Sequence, residues 1–253
     1  MNFGFDKEIW EKTGISVVVN LDPTVYTHVL LTGGSGSGKS YSLLYLLKQY
    51  VKEHIELWLC DFKNSTDFAF LNGYQHYYTG DDAIEGILSY YKKFTEVRRS
   101  GETATHYILI VDEYPSMINY LSTKDKLEKT KVANEVMGAI SEILMLGRGI
   151  KFGCLITTQR ADSSLFANGS RDNFQCVIGL GRMSKEQKTM VFTGEDIPME
   201  LVFQRGEGYL LADGKEIMQV KYPLIKDIEM WKTEIVVELN KNNSDESIEN
   251  IKS

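Results

Sequence analysis

The sequence predicts an α/β fold: a mostly parallel central sheet with helices on both faces and a β-hairpin towards the C-terminus. Three observations predict it. Apolar, β-prone runs alternate with stretches of helical spacing, as in successive βαβ units. A glycine-rich loop at residues 33–40 separates the first strong apolar run from the first amphipathic stretch. Two late strand-like runs flank Asp213-Gly214, a dipeptide suited to a tight hairpin turn.

The elements follow in order. Residues 1–26 read as a lead-in with a short strand at 15–19. The first core strand is expected at 27–31, ending in glycines. Residues 40–53 have helical spacing, with Leu43, Leu44, Leu46, Leu47 and Val51 as the apolar stripe. Residues 55–60 form a strand, and 81–99 a helix with Ile84, Ile87, Leu88 and Tyr91 on one face. The run at 107–111 is apolar throughout, as expected of a strand covered on both faces. Residues 126–146 read as one long helix. Strands are expected at 152–157 and 174–180, and the hairpin at 207–212 and 216–222. The organisation is then a lead-in (1–26), one α/β domain (27–223) and an acidic tail (224–253) whose end, rich in Asn, Ser, Lys and Glu, is expected to be disordered.

Composition excludes some classes. The chain has 253 residues, 43% hydrophobic and 25% charged, with a net charge of -7. Seven acids and three lysines lie between Asp227 and Ser253, so those residues carry a net -4, more than half of that charge. An acidic balance argues against a generally nucleic-acid-binding surface, while leaving room for a local basic channel. Cys60, Cys154 and Cys176 are far apart in apolar runs, which reads as three buried thiols of a reducing compartment. No signal peptide opens the chain, and no uncharged apolar run reaches the roughly 18 residues of a membrane span. A cytoplasmic location is expected, with any membrane association made through a partner. His28, His54, His76 and His106 show no ligand spacing.

Chemistry concentrates in three motifs. Gly33-Gly34-Ser35-Gly36-Ser37-Gly38-Lys39-Ser40 fits G-x-x-x-x-G-K-[ST] between a strand and a helix. In that setting glycines let successive N–H groups point at phosphate oxygens, and the helix presents its positive end to the same anion. Lys39 would reach the β- and γ-phosphates of ATP, the Ser40 hydroxyl would ligate Mg²⁺, and Tyr41 is grouped with the nucleotide-binding residues. The second motif is the strand ending in Asp112-Glu113, where Asp112 would hold the Mg²⁺ shell and Glu113 would polarise the attacking water. The third is Cys154-Leu155-Ile156-Thr157-Thr158-Gln159-Arg160, another buried strand ending in polar groups, where Gln159 could reach the γ-phosphate or the lytic water.

In this order the motifs resemble the motor domain of FtsK/SpoIIIE-type DNA translocases, within the FtsK/HerA group of P-loop ATPases. Gly36 to Ser40 is similar to the family's T-G-S-G-K-S. Asp61-Phe62-Lys63 resembles D-P-K, with Phe62 in place of the proline. The segment 155–160 resembles I-L-A-T-Q-R, followed by Ala161 where a proline is usual. The segment 170–184 aligns without gaps to a later family segment, and 206–210 resembles G-x-G-D-M-L. The resemblance covers residues 27–212, without a second motor subdomain or a winged-helix module.

The resemblance implies a RecA-like ATPase core. It implies a ring, usually hexameric, with ATP held between subunits and an arginine from one subunit completing its neighbour's site. Arg148 is the candidate for that arginine; a helix-terminal cation is the alternative for it. Arg160 and Arg171 flank the segment resembling pore loops and are the candidate contacts to double-stranded DNA. Lys124, Lys126, Lys129 and Lys131 read better as a solvated helix face. The expected function is an ATP-driven DNA motor of minimal form, as in conjugation, mobile elements or phage. Docking to a membrane-anchored transfer complex is a further expectation. Two alternatives stand beside it: a motor with protein cargo, and a non-motor ATP switch or assembly module.

Overall fold

The computed structural model describes residues 1–101, 104–159, 166, 172–198 and 201–249, with side chains as far as residue 241. The strands are β1 (Asn2–Asp6), β2 (Val18–Asn20), β3 (His28–Gly33), β4 (Glu56–Asp61), β5 (Tyr77–Thr79), β6 (Tyr107–Asp112), β7 (Phe152–Thr158), β8 (Cys176–Leu180), β9 (Glu207–Ala212) and β10 (Met218–Lys221). The helices are α1 (Lys7–Thr13), α2 (Lys39–Lys52), α3 (Asp82–Ser100), α4 (Tyr114–Glu128), α5 (Val132–Leu146), α6 (Lys185–Val191) and α7 (Ile228–Glu249).

All ten strands join one sheet in the order β2-β1-β10-β9-β8-β3-β7-β6-β4-β5. From β8 to β5 every pairing is parallel. From β8 to β2 every pairing is antiparallel. The hairpin around Asp213-Gly214 is thus built into the main sheet: β9 pairs with β8, and β10 pairs with β1.

Alternation along the central strands explains why those runs are apolar throughout. Leu109 and Val111 of β6 join one core with residues of α3, α4 and α5. Ile108 and Ile110 of the same strand join the other core with residues of α2 and α7. Side chains of a strand alternate in direction, so a strand with helices on both faces needs apolar residues at every position. All three cysteines are free and buried, and burial pushes their thiols well above the usual range.

Three departures from the sequence reading have local causes. The stretch expected as one helix at 126–146 is two, α4 and α5. The break is at Lys129, whose left-handed backbone (φ 57) ends α4. The Asp125 carboxylate accepts from Val132 N (2.9 Å), Ala133 N (2.8 Å) and Thr130 Oγ1 (2.5 Å), so it caps α5 from the preceding helix. At the N-terminus, residues 2–20 supply two strands to the sheet, with the second at 18–20 rather than 15–19. At the C-terminus, α7 is helical through Glu249, across the stretch whose composition suggests disorder; Ile235 and Leu239 are buried against the sheet's second core.

Candidate functional site

The carboxyl ends of β3, β4, β6, β7 and β8 share one rim of the sheet, the edge at which open α/β folds bind ligands. Residues 33–40 leave β3 there and turn into α2. Gly36 (φ 78) and Gly38 (φ 97) adopt left-handed backbone that side chains rarely tolerate. The loop is braced from behind by backbone. Gly206 N donates to Ser37 O (2.8 Å), and a Cβ on Gly38 would lie 2.7 Å from Gly206 N. On the other side, a Cβ on Gly181 would lie 2.8 Å from Ser37 Cβ. The loop is therefore held between the end of β8 and the turn that starts β9.

Lys39 donates from Nζ to Gly33 O at 2.6 Å. Burial lowers its pKa, the nearby Glu113 and Asp112 raise it, and Lys63 opposes them. The ammonium thus rests on loop backbone in a partly buried setting with carboxylates close by. Ser37 Oγ is buried without a hydrogen-bond partner.

The two acids after β6 are placed by different means. Asp112 is drawn together with Asp61, its register partner on β4. Burial pushes the Asp112 carboxyl up to about 6; the hydrogen bond from Thr157 pulls the other way, and Asp61 and Glu113 add to the rise. Glu113 starts α4 with left-handed backbone (φ 55), a strained conformation for a non-glycine residue and one that recurs where a side chain must be aimed. Thr157 ties both acids to β7. Its Oγ1 donates to Asp112 Oδ1 (2.7 Å) and accepts from Glu113 N (2.8 Å). Gln159 then donates from Nε2 to Glu113 Oε2 (3.2 Å), and Lys63 Nζ lies 3.2 Å from the same oxygen.

These groups meet in a cleft of about 530 Å³, within the range of roughly 300–1,000 Å³ usual for small-molecule sites. Gly34, Ser35, Gly36, Gly38, Lys39, Ser40 and Tyr41 form its floor, with Glu113 and Gln159 at one wall. Asp112 lies behind Glu113 and does not line the cleft. The rest of the lining comes from residues the sequence did not single out for it: Lys63, beside Glu113, with Leu44, Asp67, Arg205, Ile228, Glu229 and Lys232. The start of α7 is held over α2 by several contacts. Tyr41 Oη donates to Pro223 O (2.8 Å) and accepts from Ile225 N. Tyr45 stacks on Trp231 with centroids 5.7 Å apart. Lys48 sits 3.9 Å over the Trp231 ring and pairs with Glu234.

The site fits a magnesium nucleotide better than a dedicated metal centre. Among the described residues no group of three or more His, Cys, Asp and Glu could hold a metal ion. Mg²⁺ keeps several waters and takes one or two protein oxygens beside substrate phosphates; Ser40, which lines the cleft, could supply one directly, and Asp112, outside the lining, could act through a water. The protonation tendency of Asp112 points the same way, because a cation beside a buried carboxylate offsets its desolvation.

Arg148 is not brought to this cleft. It lies in the turn 147–150 before β7, at the far end of the strands. Seven residues of β7, roughly 20 Å of extended chain, separate it from its own Gln159 rim. Arg160 and Arg171, with most of the segment between them, lie outside the described residues. Lys124 pairs with Asp81 at 3.7 Å. Among the described residues no helix is long and apolar enough to cross a membrane.

No protein-family model matches the chain. It is 24% identical over 215 residues to an FtsK domain-containing protein, YdcQ, of Bacillus subtilis, a match covering 78% of this chain and 43% of that protein. Among solved structures it is similar to the monomer form of the pCW3 conjugation coupling protein TcpA with ATPγS, at TM-score 0.68 and 19% identity over 87% of this chain and 66% of that one. It is also similar to the cytoplasmic domain of the type VII secretion ATPase EccC of Thermomonospora curvata, at TM-score 0.66 and 20% identity over 93% of this chain and 30% of that one. The chain thus spans less than two thirds of each of these proteins. In motif order and in fold the chain resembles the FtsK-type motor domains.

Proposed function

We propose that this chain hydrolyses ATP and uses the cycle to move double-stranded DNA, as a ring, in conjugation, mobile-element or phage DNA transfer. The observation that carries the reading is the convergence of the phosphate loop, Glu113 and Gln159 on one cleft. The loop N–H groups and the N-terminus of α2 bind the phosphates. Lys39 exchanges the Gly33 carbonyl for phosphate oxygens. Ser40 and Asp112 would hold Mg²⁺, which when bound would draw charge from the phosphates. Glu113 orients water and takes its proton as the water oxygen attacks the terminal phosphorus; the bond from that phosphorus to the bridging oxygen breaks, and ADP leaves with that oxygen. Gln159, bonded to Glu113, links that event to β7 and to the segment that begins at Arg160. Leu44 and Ile228 give the base an apolar setting.

The assembled state rests on further proposals. Arg148 would act on a neighbouring subunit's nucleotide, and Arg160 and Arg171 would touch DNA phosphates, giving binding that is sequence-independent and weakens with salt. Support for DNA as cargo comes from the conjugation coupling protein among the structural neighbours. The secretion ATPase among them supports the second reading, a motor with protein cargo. Membrane association would come from a docking partner, with the ATPase on the cytoplasmic side.

Steady-state ATP turnover measured with and without linear duplex DNA tests the proposal, with Lys39→Ala, Glu113→Gln and Arg148→Ala alongside. DNA stimulation is expected in the wild type. Lys39→Ala should lose nucleotide, Glu113→Gln should retain it unhydrolysed, and Arg148→Ala should bind ATP without assembly-dependent turnover. Turnover indifferent to DNA would reject the DNA motor, and a protein that stays monomeric with ATP and DNA would favour the switch.

A further inference from the structure

The loop after β4 brings a lysine onto the carboxylate assigned above to water activation. Lys63 Nζ lies 3.2 Å from Glu113 Oε2, with the Glu113 side chain 10% exposed and that of Lys63 44% exposed. Gln159 Nε2 donates to the same oxygen, so one carboxylate oxygen carries two contacts. Two features fix this meeting. The left-handed backbone of Glu113 sets the direction of its side chain. Phe62, adjacent to Lys63, packs on Tyr120 of α4 with ring centroids 5.2 Å apart, which ties the lysine's loop to the helix that Glu113 begins. Lys39 rests elsewhere, on Gly33 O, and Lys232 pairs with Glu229, so the three lysines of the cleft have different resting partners.

Resting on the ATPase reading, we infer that Lys63 is a positioning residue that restrains Glu113: it holds the carboxylate away from the lytic water and keeps turnover of the unstimulated protein low. An ammonium ion on a carboxylate competes with water for the same lone pairs. Glu113 therefore takes a proton more readily once the Lys63–Glu113 contact opens. A half-exposed ion pair is weak enough to open within a catalytic cycle and strong enough to bias it. Gln159 donates to the same oxygen, so the restrained carboxylate is held from the loop after β4 and from the end of β7 at once.

The test uses the full chain with Mg-ATP and no DNA. Lys63→Ala should raise kcat about two- to fivefold, the range expected for losing one partly exposed ion pair. KM for ATP should stay within about threefold, because the phosphate loop is untouched. Lys63→Arg should restore the low rate, and Glu113→Gln added to Lys63→Ala should abolish the gain. A kcat that falls would overturn the restraint and make Lys63 a direct phosphate ligand; an unchanged kcat, or a gain that survives Glu113→Gln, would overturn it as well. Calorimetry of Mg-ATP binding on the same samples separates the two levels: wild-type protein that binds no Mg-ATP refutes the ATPase reading, whereas normal binding with an unmoved kcat refutes the restraint alone.

Discussion

Thr157→Val is the perturbation that most directly asks whether β7 positions the two acids. Valine keeps the shape of threonine and removes one hydroxyl. Two contacts go with it: the donor to Asp112 Oδ1 (2.7 Å) and the acceptor of Glu113 N (2.8 Å). Thr157 is fully buried, so water cannot replace either. A hydrogen bond to a charged group contributes about 1.5–3 kcal/mol, and a buried N–H left unpaired costs about 1–3 kcal/mol. The two are neighbours and will not add fully, so a loss of about 3 kcal/mol is expected. For a chain of this size that is roughly 6–12 °C in Tm. Function should suffer more than stability suggests. Without its donor the Asp112 carboxyl, already raised to about 6 by burial, rises further, and Glu113 loses the contact that seats its strained backbone. Turnover should fall at least about tenfold, while ATP affinity stays within about threefold because the phosphate loop is untouched. Thermal unfolding, calorimetry and steady-state turnover measure the three quantities. Thr157→Ser, which keeps the hydroxyl, should stay near wild type. A valine variant with unchanged Tm and full turnover would refute the positioning argument; one that is destabilised yet fully active would refute its functional half.

Two other outcomes follow from the geometry. Gly181→Ala, at φ 69 with a Cβ 2.8 Å from Ser37 Cβ, should push the phosphate loop from behind and weaken ATP binding about tenfold, whereas Gly214→Ala, at φ 72 with nothing within 4 Å, carries the same backbone cost of about 1–2 kcal/mol and should leave affinity alone; equal affinities in a calorimetric titration of the two would contradict the bracing. Burial lowers His28 to about 3 and His76 and His106 to about 4, so these rings stay neutral in the fold while the unfolded chain takes up protons below about 6.5. Stability is then full above that pH and falls as pH drops towards 4, by about 1.4 kcal/mol at pH 5.5 from His28 alone; Asp112, raised to about 6, opposes this, and three histidines outweigh it. Urea midpoints at pH 7.5 and 5 measure the balance, and a midpoint that rises on acidification would contradict it.

The fold class was legible because its signals are local. The runs at 107–111 and 152–156 carry no charged side chain at any position, as strands covered on both faces require. The glycine loop carries its meaning in eight consecutive residues, and Asp213-Gly214 is a turn in any context. What escaped the sequence depends on meetings across the chain. Thr157 sits inside an apolar strand and matters only because β6 is its neighbour. Lys63, Arg205, Glu229 and Lys232 come to the cleft from three separate segments. The break between α4 and α5 depends on Asp125, a helix residue that caps the next helix rather than its own. At the N-terminus, β1 offers only Phe3 and Phe5 in alternation, too short a run to announce a strand, and it is held as one by β10, about two hundred residues later. Departures from the family motifs were legible, but the use of Phe62 was not: in place of a proline it provides a ring that meets Tyr120.

The account's central claim is that residues 33–40, Glu113 and Gln159 form one nucleotide site. The most direct measurement is isothermal calorimetry of ATP binding with and without Mg²⁺, on the wild type and Lys39→Ala. One site per chain, tighter with Mg²⁺ and lost in Lys39→Ala, is the predicted result. Wild-type protein that takes up no ATP, or a Lys39→Ala variant that binds it equally well, would contradict the account.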